Sequence, residues 1–161
     1  MTENEVNLAV RAWLTRNGYK YKGVLNSKND TQRLFKETRV DQSQPNQPNN
    51  SIANQVFGQV PVPLPCRERL ILIDHTGHND RTKDLIWVEA KGEVGMSQLL
   101  EGFIRVVCAC YWGGGSGLLA IPSIECDQML EQQDFLRRVG ASCERKVGIL
   151  DAEQKEVHWL T

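Results

Sequence analysis

The stretch LIWVEAK at residues 85–91 constrains the fold of this chain more than any other. Its first four residues form a continuous apolar run, which is typical of a strand buried on both faces of a sheet. Because side chains alternate along a strand, Glu89 and Lys91 share one face and Ala90 lies on the other. Charges at the end of a buried strand cost desolvation free energy unless they pair, bind a metal or take part in chemistry. We therefore expect either a functional site or a salt bridge at this strand end.

A second apolar run, RLILID at residues 69–74, precedes the first and is separated from it by a polar stretch. This order predicts a long hairpin. Asp74 and Glu89 are equidistant in sequence from the Arg81–Thr82 pair, so a turn centred there sets the two carboxylates directly opposite each other. Two facing carboxylates repel, and a divalent cation that accepts oxygen ligands removes the repulsion.

Local patterns predict the remaining elements. Thr2 and Glu5 fit a capping box at the start of a first helix, which ends at Asn17. A second helix at residues 96–111 is predicted to turn six side chains towards the core: Met96, Leu100, Phe103, Ile104, Val107 and Tyr111. The other predicted elements are strands at residues 19–25 and 117–122, a helix at 127–139, and a hairpin of residues 147–150 and 156–160.

The order of these elements is helix, strand, hairpin, helix, strand, helix and hairpin. It predicts an α/β sandwich, in which helices flank a central mixed β-sheet. A chain of 161 residues fits one domain, which we place over residues 1–161. Residues 41–56 are rich in Gln, Asn and Pro and nearly free of charge, so we expect a flexible polar insertion there.

Composition indicates a cytoplasmic protein that does not enter a membrane. No apolar stretch approaches a membrane-spanning length, and the polar start MTENEVN does not resemble a signal peptide. The five cysteines are an odd number in mostly apolar or helical surroundings, which favours buried thiols in a reducing compartment over disulfides. Residues 10–40 carry eight basic side chains against two acidic ones. A mixed solvated surface is the commoner explanation of such a stretch, so it gives only weak support for a nucleic-acid partner.

Asp74, followed after fourteen residues by Glu89, Ala90 and Lys91, resembles the motif of the PD-(D/E)XK nuclease superfamily, which has the restriction-endonuclease-like fold. The motif stands on the predicted hairpin, where that family carries it. The αβββαβ order of the family also agrees with the predicted elements from residue 3 to about residue 151. Ile73 stands where the motif name has proline.

The resemblance implies a metal-dependent nuclease that hydrolyses phosphodiester bonds, of DNA rather than RNA, with a water activated by Mg²⁺. Asp74, Glu89 and the Ala90 carbonyl would hold the Mg²⁺ ion, for which Mn²⁺ could substitute. Lys91 would orient or help to deprotonate the attacking water and offset charge on the phosphate. Gln98 on the following helix would orient that water or a phosphate oxygen.

Two further positions follow from the same resemblance. Many members of the family carry a tyrosine four residues after the glutamine, and Gly102 stands at that position here. The first helix of the family often donates a glutamate. Glu3 lies on the apolar face of the predicted helix, whereas Glu5 is committed to the capping box, so Glu3 is the better candidate.

Other interpretations of the same residues remain open. Glu89 and Lys91 could form a salt bridge that caps the strand, and Gln98 could simply be exposed. His75 and His78 with Asp80 could indicate a zinc site or an HNH-type nuclease, but no further ligand spacing supports it. The segment WGGGSG lacks the lysine of a phosphate-binding loop and leads into a strand.

The main alternative function is a protein with the nuclease fold and no cleavage activity, acting as a nucleic-acid-binding or assembly subunit. A chain of this modest size is not expected to carry a separate DNA-reading domain, which argues against a self-sufficient sequence-specific enzyme. We therefore expect either a homodimer or a subunit of a larger repair, recombination or defence complex.

Overall fold

The computed structural model describes residues 1–22, 60–62 and 71–161. Cys66, the predicted insertion at residues 41–56 and most of the basic segment at residues 10–40 lie outside the described residues. None of the helices in the described part of the chain is long and apolar enough to cross a membrane.

The described residues form four helices and eight strands. In chain order these are α1 (Glu3–Arg16), β1 (Lys20–Lys22), β2 (Val60–Val62), β3 (Ile71–Ile73), β4 (His75–His78), β5 (Leu85–Ala90), α2 (Met96–Gly113), β6 (Ser116–Ile121), α3 (Ser123–Leu130), α4 (Gln133–Ala141), β7 (Val147–Asp151) and β8 (Glu156–Trp159). Six strands make one mixed sheet in the order β1-β4-β5-β6-β7-β8, while β2 and β3 pair separately. The β5–β6 and β6–β7 pairs are parallel and the other pairs are antiparallel. The fold class is therefore α/β with a mixed sheet flanked by helices, as the sequence predicts.

Helices cover both faces of β5, which explains its continuous apolar run. On one face, Ile86 and Val88 pack in a cluster with the buried side of α1. On the other face, Trp87 packs in a cluster with side chains of α2, and its indole N–H donates to the Gly114 carbonyl at 2.8 Å. The predicted burial of this strand on both faces is confirmed, and Glu89 lies on the α2 face because it alternates with Val88.

Helix α1 begins with the predicted capping box. The Glu5 carboxylate accepts the Thr2 backbone N–H at 2.7 Å, and the Glu5 N–H donates to the Thr2 hydroxyl at 3.4 Å. These bonds satisfy two backbone N–H groups at a helix start that would otherwise lack partners. The helix then buries Val6, Val10 and Leu14 against the sheet.

The predicted long hairpin has the correct register, but its first strand and its turn lie at other residues than predicted. Residues 71–73 pair with β2, the chain bends at Asp74, and β4 rather than the predicted apolar run pairs with β5. Strand β4 has the polar sequence HTGH, yet His75 and Thr76 are buried because their polar atoms are satisfied. The Thr76 hydroxyl donates to the Ile86 carbonyl at 3.1 Å. The predicted turn over residues 75–84 therefore shortens to residues 79–84.

The predicted helix at residues 96–111 is confirmed as α2, but its core face is rotated from the predicted one. Ile104 and Tyr111, expected in the core, are 49% and 61% exposed. The buried positions include Gly102 and Cys110, which a count of large apolar residues does not select. Small residues let the helix approach the strands closely: a β-carbon at Gly113 would lie 2.6 Å from the Trp87 ring.

The carboxyl-terminal elements agree with prediction except at one helix. The hairpin of β7 and β8 forms around the predicted turn, and the glycine-rich segment after α2 is a connector. The helix expected over residues 127–139 is instead two helices, α3 and α4, with the break at Glu131 and Gln132. No glycine or proline marks that break in the sequence.

Candidate active site

Asp74 and Glu89 lie next to each other at the end of the β4–β5 ladder, where the chain bends. The last pair of the ladder is His75 with Val88, and the same register continued by one residue sets Asp74, at the bend, opposite Glu89. Both side chains are buried, and Asp74 Oδ2 accepts the Ala90 backbone N–H at 2.9 Å. A symmetric count about the Arg81–Thr82 pair thus leads to the same pairing as the structure.

The Glu89 side chain is fully buried, and both of its cationic neighbours contact the same carboxylate oxygen. Its Oε1 lies 3.0 Å from Lys91 Nζ and 3.5 Å from Arg105 Nη1. Its Oε2 has no hydrogen-bond partner among the described residues. Burial, together with the nearby charge of Asp74, raises the pKa of Glu89 to about 7 against the opposing effect of Lys91 and Arg105. One carboxylate oxygen of Glu89 is therefore left without a hydrogen-bond partner in the described part of the chain.

Lys91 follows β5 on the same side as Glu89 and forms an ion pair with it. Burial would lower the pKa of Lys91, but the charges of Glu89, Asp74 and Glu3 raise it above its ordinary value. A β-carbon at Gly102 would lie 2.9 Å from Leu119 Cδ1, so the glycine lets α2 approach the sheet closely, and the Lys91 stem packs beside it at 3.5 Å. The salt bridge considered from the sequence is therefore present, and Lys91 remains partly exposed at 20%.

Arg105 of α2 joins this cluster, although sequence reasoning did not select it. Its guanidinium contacts Glu89 through Nη1 and Glu101 through Nη2, the second at 2.7 Å. Arg105 lies seven residues after Gln98 and three after Gly102, which is the same helix face one or two turns later. That spacing was the signal available in the sequence.

The first turn of α1 brings Glu3 to the same region. The Glu3 side chain is exposed, but partial desolvation at the helix start raises its pKa. The charges of Lys91 and Asp74 act on that pKa in opposite directions, so Glu3 lies within their electrostatic reach. Close packing seats the helix start, because a β-carbon at Gly92 would lie 2.5 Å from the Glu3 backbone nitrogen. Glu5 is instead held in the capping box, whose hydrogen bonds lower its pKa. A cavity of about 430 Å³ lies between this helix start and residues 92–94.

The structure does not bring Gln98 to the other candidate residues. Its side chain is exposed near the start of α2 and makes no hydrogen bond with the described residues, while its backbone N–H donates to the Gly95 carbonyl. Ala90 is buried on the α1 face, and its N–H binds Asp74 Oδ2. The roles that the resemblance implies for Gln98 and for the Ala90 carbonyl stay predictions.

A hydrogen bond between two buried residues, Asn7 and His75, joins α1 to the strand that follows Asp74, and the sequence analysis did not predict it. Asn7 Nδ2 donates to the Glu3 carbonyl at 2.9 Å, so Asn7 Oδ1 is oriented to accept a hydrogen bond from His75 Nε2. Burial lowers the pKa of His75 to about 3, which keeps the ring neutral, and the Asn7 Oδ1 acceptor then favours the tautomer that is protonated on Nε2. Asn7 lies four residues after Glu3 on the buried face of α1, and a polar residue on that face was the available signal.

The zinc interpretation loses support from the position of its residues. His75 is inside the fold, whereas His78 pairs with Asp80 at 3.0 Å near the surface. No group of three or more His, Cys, Asp or Glu side chains in the described residues is placed to hold a metal ion.

The donor set at Asp74 and Glu89 fits Mg²⁺ better than a metal that needs a closed cage of side chains. Mg²⁺ takes one or two carboxylates and completes its octahedron with water and substrate phosphate. Glu89 Oε2 is buried without a partner among the described residues, and such an atom costs free energy until a proton or a cation satisfies it. The residues present therefore fit the ion that the resemblance implies.

Comparisons of the chain with family models, with curated proteins and with solved structures find no match. The resemblance to the PD-(D/E)XK superfamily thus depends on three residues, Asp74, Glu89 and Lys91, and on the element order around them. An activity for the chain is therefore a proposal that rests on this geometry.

Proposed function

We propose that this chain is a metal-dependent nuclease that hydrolyses phosphodiester bonds of DNA, on a restriction-endonuclease-like αβββαβ arrangement. One observation carries the proposal. Asp74 and Glu89 are buried side by side, Glu89 Oε2 has no partner among the described residues, and Lys91 Nζ is 3.0 Å from the other Glu89 oxygen. Carboxylates and a lysine in this arrangement suit the chemistry of phosphate ester hydrolysis.

Asp74, Glu89 and the Ala90 carbonyl would hold Mg²⁺ or Mn²⁺. When bound, the ion would polarise the scissile phosphate and lower the pKa of a water molecule. The chain contributes a fixed arrangement, because the Ala90 N–H holds Asp74 Oδ2 and the buried wall behind Glu89 excludes bulk water. Such preorganisation lowers the reorganisation cost in the transition state.

Lys91 would act as a cation rather than as a base. Its pKa is raised by the acids around it, so Nζ keeps its proton at neutral pH. The ammonium would donate a hydrogen bond to the attacking water or to a phosphate oxygen and offset the negative charge that develops there. The alternative in which Lys91 helps to deprotonate the water is less consistent with a raised pKa.

Arg105 would be the second cation available to the substrate. Its side chain is 38% exposed, and its contact with Glu101 is a surface pair of the kind that contributes little free energy. The guanidinium can therefore exchange Glu101 for a phosphate oxygen at low cost. Gln98 is exposed on the same helix and would reach a bound substrate rather than the buried carboxylates.

The second candidate function is a nucleic-acid-binding or assembly subunit without cleavage activity. The Lys91–Glu89 ion pair favours it, because the lysine supplies Glu89 with a counter-charge and no metal is then needed. The unpartnered Glu89 Oε2 favours the nuclease instead, since Lys91 and Arg105 both contact Oε1.

The deciding experiment is cleavage of plasmid, linear duplex, single-stranded and branched DNA, and of RNA, by the purified protein. Each substrate is incubated with Mg²⁺, with Mn²⁺ and with EDTA. The variants are Lys91→Ala and Glu89→Gln, with Lys155→Ala as the control for loss of an exposed lysine in another turn. All three are checked for folding by circular dichroism.

Metal-dependent cleavage that Lys91→Ala and Glu89→Gln abolish, and that Lys155→Ala retains, would establish the nuclease. Retarded migration of DNA without cleavage, under all metal conditions, would support the binding subunit. Equal cleavage by all variants would indicate a contaminating enzyme and refute the assignment of Glu89 and Lys91.

A further inference from the structure

The end of the sheet remote from the candidate active site carries a second cavity. It has a volume of about 440 Å³ and lies where β5 and β6 begin and β8 ends. Strand β5 runs from Leu85 at this cavity to Ala90 at the candidate active site. At about 3.3 Å per residue the two regions are separated by roughly 17 Å. This cavity is therefore separate from the candidate active site, and the inference that follows does not depend on the proposed nuclease activity.

Three cations line the cavity against one acid. Lys83, Arg145 and Lys146 contribute the positive charges, and Asp84 contributes the negative charge. None of the three cations forms a salt bridge with the described residues, and Lys146 Nζ lies 4.3 Å from the centre of the Trp159 ring. Like charges gathered around one cavity repel each other, so an anion bound there would be stabilised by all three.

The backbone that carries these cations is anchored on both sides of the cavity. Lys83 has a φ of 65° in the β4–β5 turn, and its N–H donates to the Asn79 carbonyl at 2.8 Å. The Arg145 carbonyl accepts the Thr161 hydroxyl at 2.7 Å, and the Lys146 carbonyl accepts the Gly117 N–H at 2.9 Å. A site whose backbone is already ordered loses less entropy when a ligand binds.

Two aromatic rings complete the wall and narrow the class of ligand. Tyr19 and Trp159 line the same cavity as the three cations. The volume is within the range of small-ligand pockets, which is about 300–1,000 Å³. Guanidinium and ammonium groups recognise phosphate, with arginine able to bind two oxygens at once, and aromatic side chains accept a nucleobase.

We propose that this cavity binds the phosphate group of a nucleotide. Arg145 and Lys83 contact the phosphate, while Tyr19 and Trp159 contact the attached base or sugar. The same chemistry is offered by a free nucleotide and by the 5′-phosphate end of a nucleic acid strand. Calorimetry with ligands of both kinds separates these two sources.

Binding is measured by isothermal titration calorimetry of the full chain in EDTA, so that metal binding and cleavage do not contribute. The ligands are pyrophosphate, AMP, and a short oligonucleotide with either a 5′-phosphate or a 5′-hydroxyl. The variants are Arg145→Gln and Lys83→Gln. The control is Lys155→Gln, because Lys155 also has a positive φ, of 60°, and its N–H also donates to a carbonyl four residues earlier at 2.8 Å.

We expect saturable binding of a phosphate ligand, weakened about tenfold or more by Arg145→Gln and by Lys83→Gln and less than about twofold by Lys155→Gln. Tighter binding of the 5′-phosphorylated strand than of AMP would support the site with a strand end as its ligand, and the reverse order would support it with a free nucleotide. The proposal is overturned if none of these ligands binds saturably, or if the two cavity variants bind as tightly as the control. Equal affinity for the 5′-phosphate and 5′-hydroxyl strands, with no binding of AMP or pyrophosphate, also overturns it.

Discussion

Glu89→Gln should change how the stability of the protein depends on pH, and the size of the change follows from the burial of one carboxyl group. The pKa of Glu89 is raised from its ordinary value of 4.5 to about 7 because the side chain is buried beside Asp74. Between these two pH values the folded protein holds a proton that the unfolded chain releases. The free energy of unfolding therefore falls as pH rises through this window.

The magnitude is obtained from the two pKa values. At about 1.36 kcal/mol for each pH unit, the interval from 4.5 to about 7 corresponds to a loss of about 3 kcal/mol in wild-type stability above pH 7. The contribution is fully present below pH 4.5 and is lost above pH 7. Glutamine keeps the shape and cannot titrate, so the variant lacks this loss. Relative to wild type, Glu89→Gln should gain about 3 kcal/mol between pH 4.5 and about pH 8.5.

The assay is urea unfolding of both proteins at closely spaced pH values in EDTA, followed by tryptophan fluorescence. The difference between variant and wild type is the informative quantity, because every other titrating group is shared. Glu101→Gln serves as control, since it removes an exposed carboxylate from the same Arg105 network and should keep the pH-dependent loss that Glu89 causes. Adding Mg²⁺ at about pH 8.5 should stabilise wild type and not Glu89→Gln, if the ion binds as proposed.

A difference that stays constant within about 1 kcal/mol from about pH 4.5 to about pH 8.5 would show that Glu89 does not hold a raised pKa. That result would mean that Lys91 and Arg105 compensate its burial completely. The site would then be a satisfied salt bridge, and the case for a bound cation would lose its main physical reason.

Three other substitutions test contacts in the core and at the candidate active site. Burial lowers the pKa of His75 from 6.5 to about 3, so the wild-type protein should lose up to about 5 kcal/mol of stability as pH falls through this window. Urea unfolding of His75→Gln over the same pH range should not show this loss. Gly117→Ala should lower the free energy of unfolding by about 1–3 kcal/mol, because its β-carbon would lie 2.5 Å from a cysteine sulfur of α2. Gly95→Ala meets no atom within 4 Å and should lower that free energy by about 1 kcal/mol at most, through its position as the N-cap of α2. If the chain cleaves DNA, Arg105→Ala should shift the midpoint of the pH dependence of cleavage upwards by less than about 1 pH unit. The reason is that the half-exposed guanidinium lowers the pKa of Glu89. An unchanged or lower midpoint would contradict this.

The hairpin shows which part of the fold could be predicted from the sequence. The register of Asp74 against Glu89 follows from turn symmetry alone, which depends only on chain positions. The strand HTGH could not be predicted in the same way, because its polar side chains suggest a turn. His75 and Thr76 are buried because partners outside the strand satisfy them, among them Asn7, which is 68 residues from His75. Local patterns do not contain such partners.

Helix α2 shows a different limit. Its position could be predicted from its apolar content, but its rotation could not. The predicted core face of the helix included Ile104 and Tyr111, which are exposed. The face that packs on the sheet instead contains Gly102 and Cys110, whose small side chains let the helix lie close to the strands. Hydrophobic scales give small residues little weight, although close helix–sheet contact requires them. The same rotation brings Arg105 towards Glu89, so the contact between them was missed as well.

The two ends of the sheet differ in charge, and this difference decides which ligand each can accept. At the candidate active site, Asp74, Glu89 and Glu3 outnumber the cations Lys91 and Arg105, since Arg105 is shared with Glu101. An anionic phosphate would be repelled there unless a divalent cation first reversed the local charge.

At the other end, Lys83, Arg145 and Lys146 face one acid, and a phosphate can bind without help from a metal. The two proposals therefore predict opposite responses to EDTA. Chelation should abolish substrate engagement at Asp74 and Glu89 and leave phosphate binding at Arg145 unchanged. A titration of a 5′-phosphorylated duplex into the Lys91→Ala variant, which should not cleave it, tests both proposals when it is run with and without Mg²⁺. Binding at the two ends of the sheet should then separate into a metal-dependent and a metal-independent component.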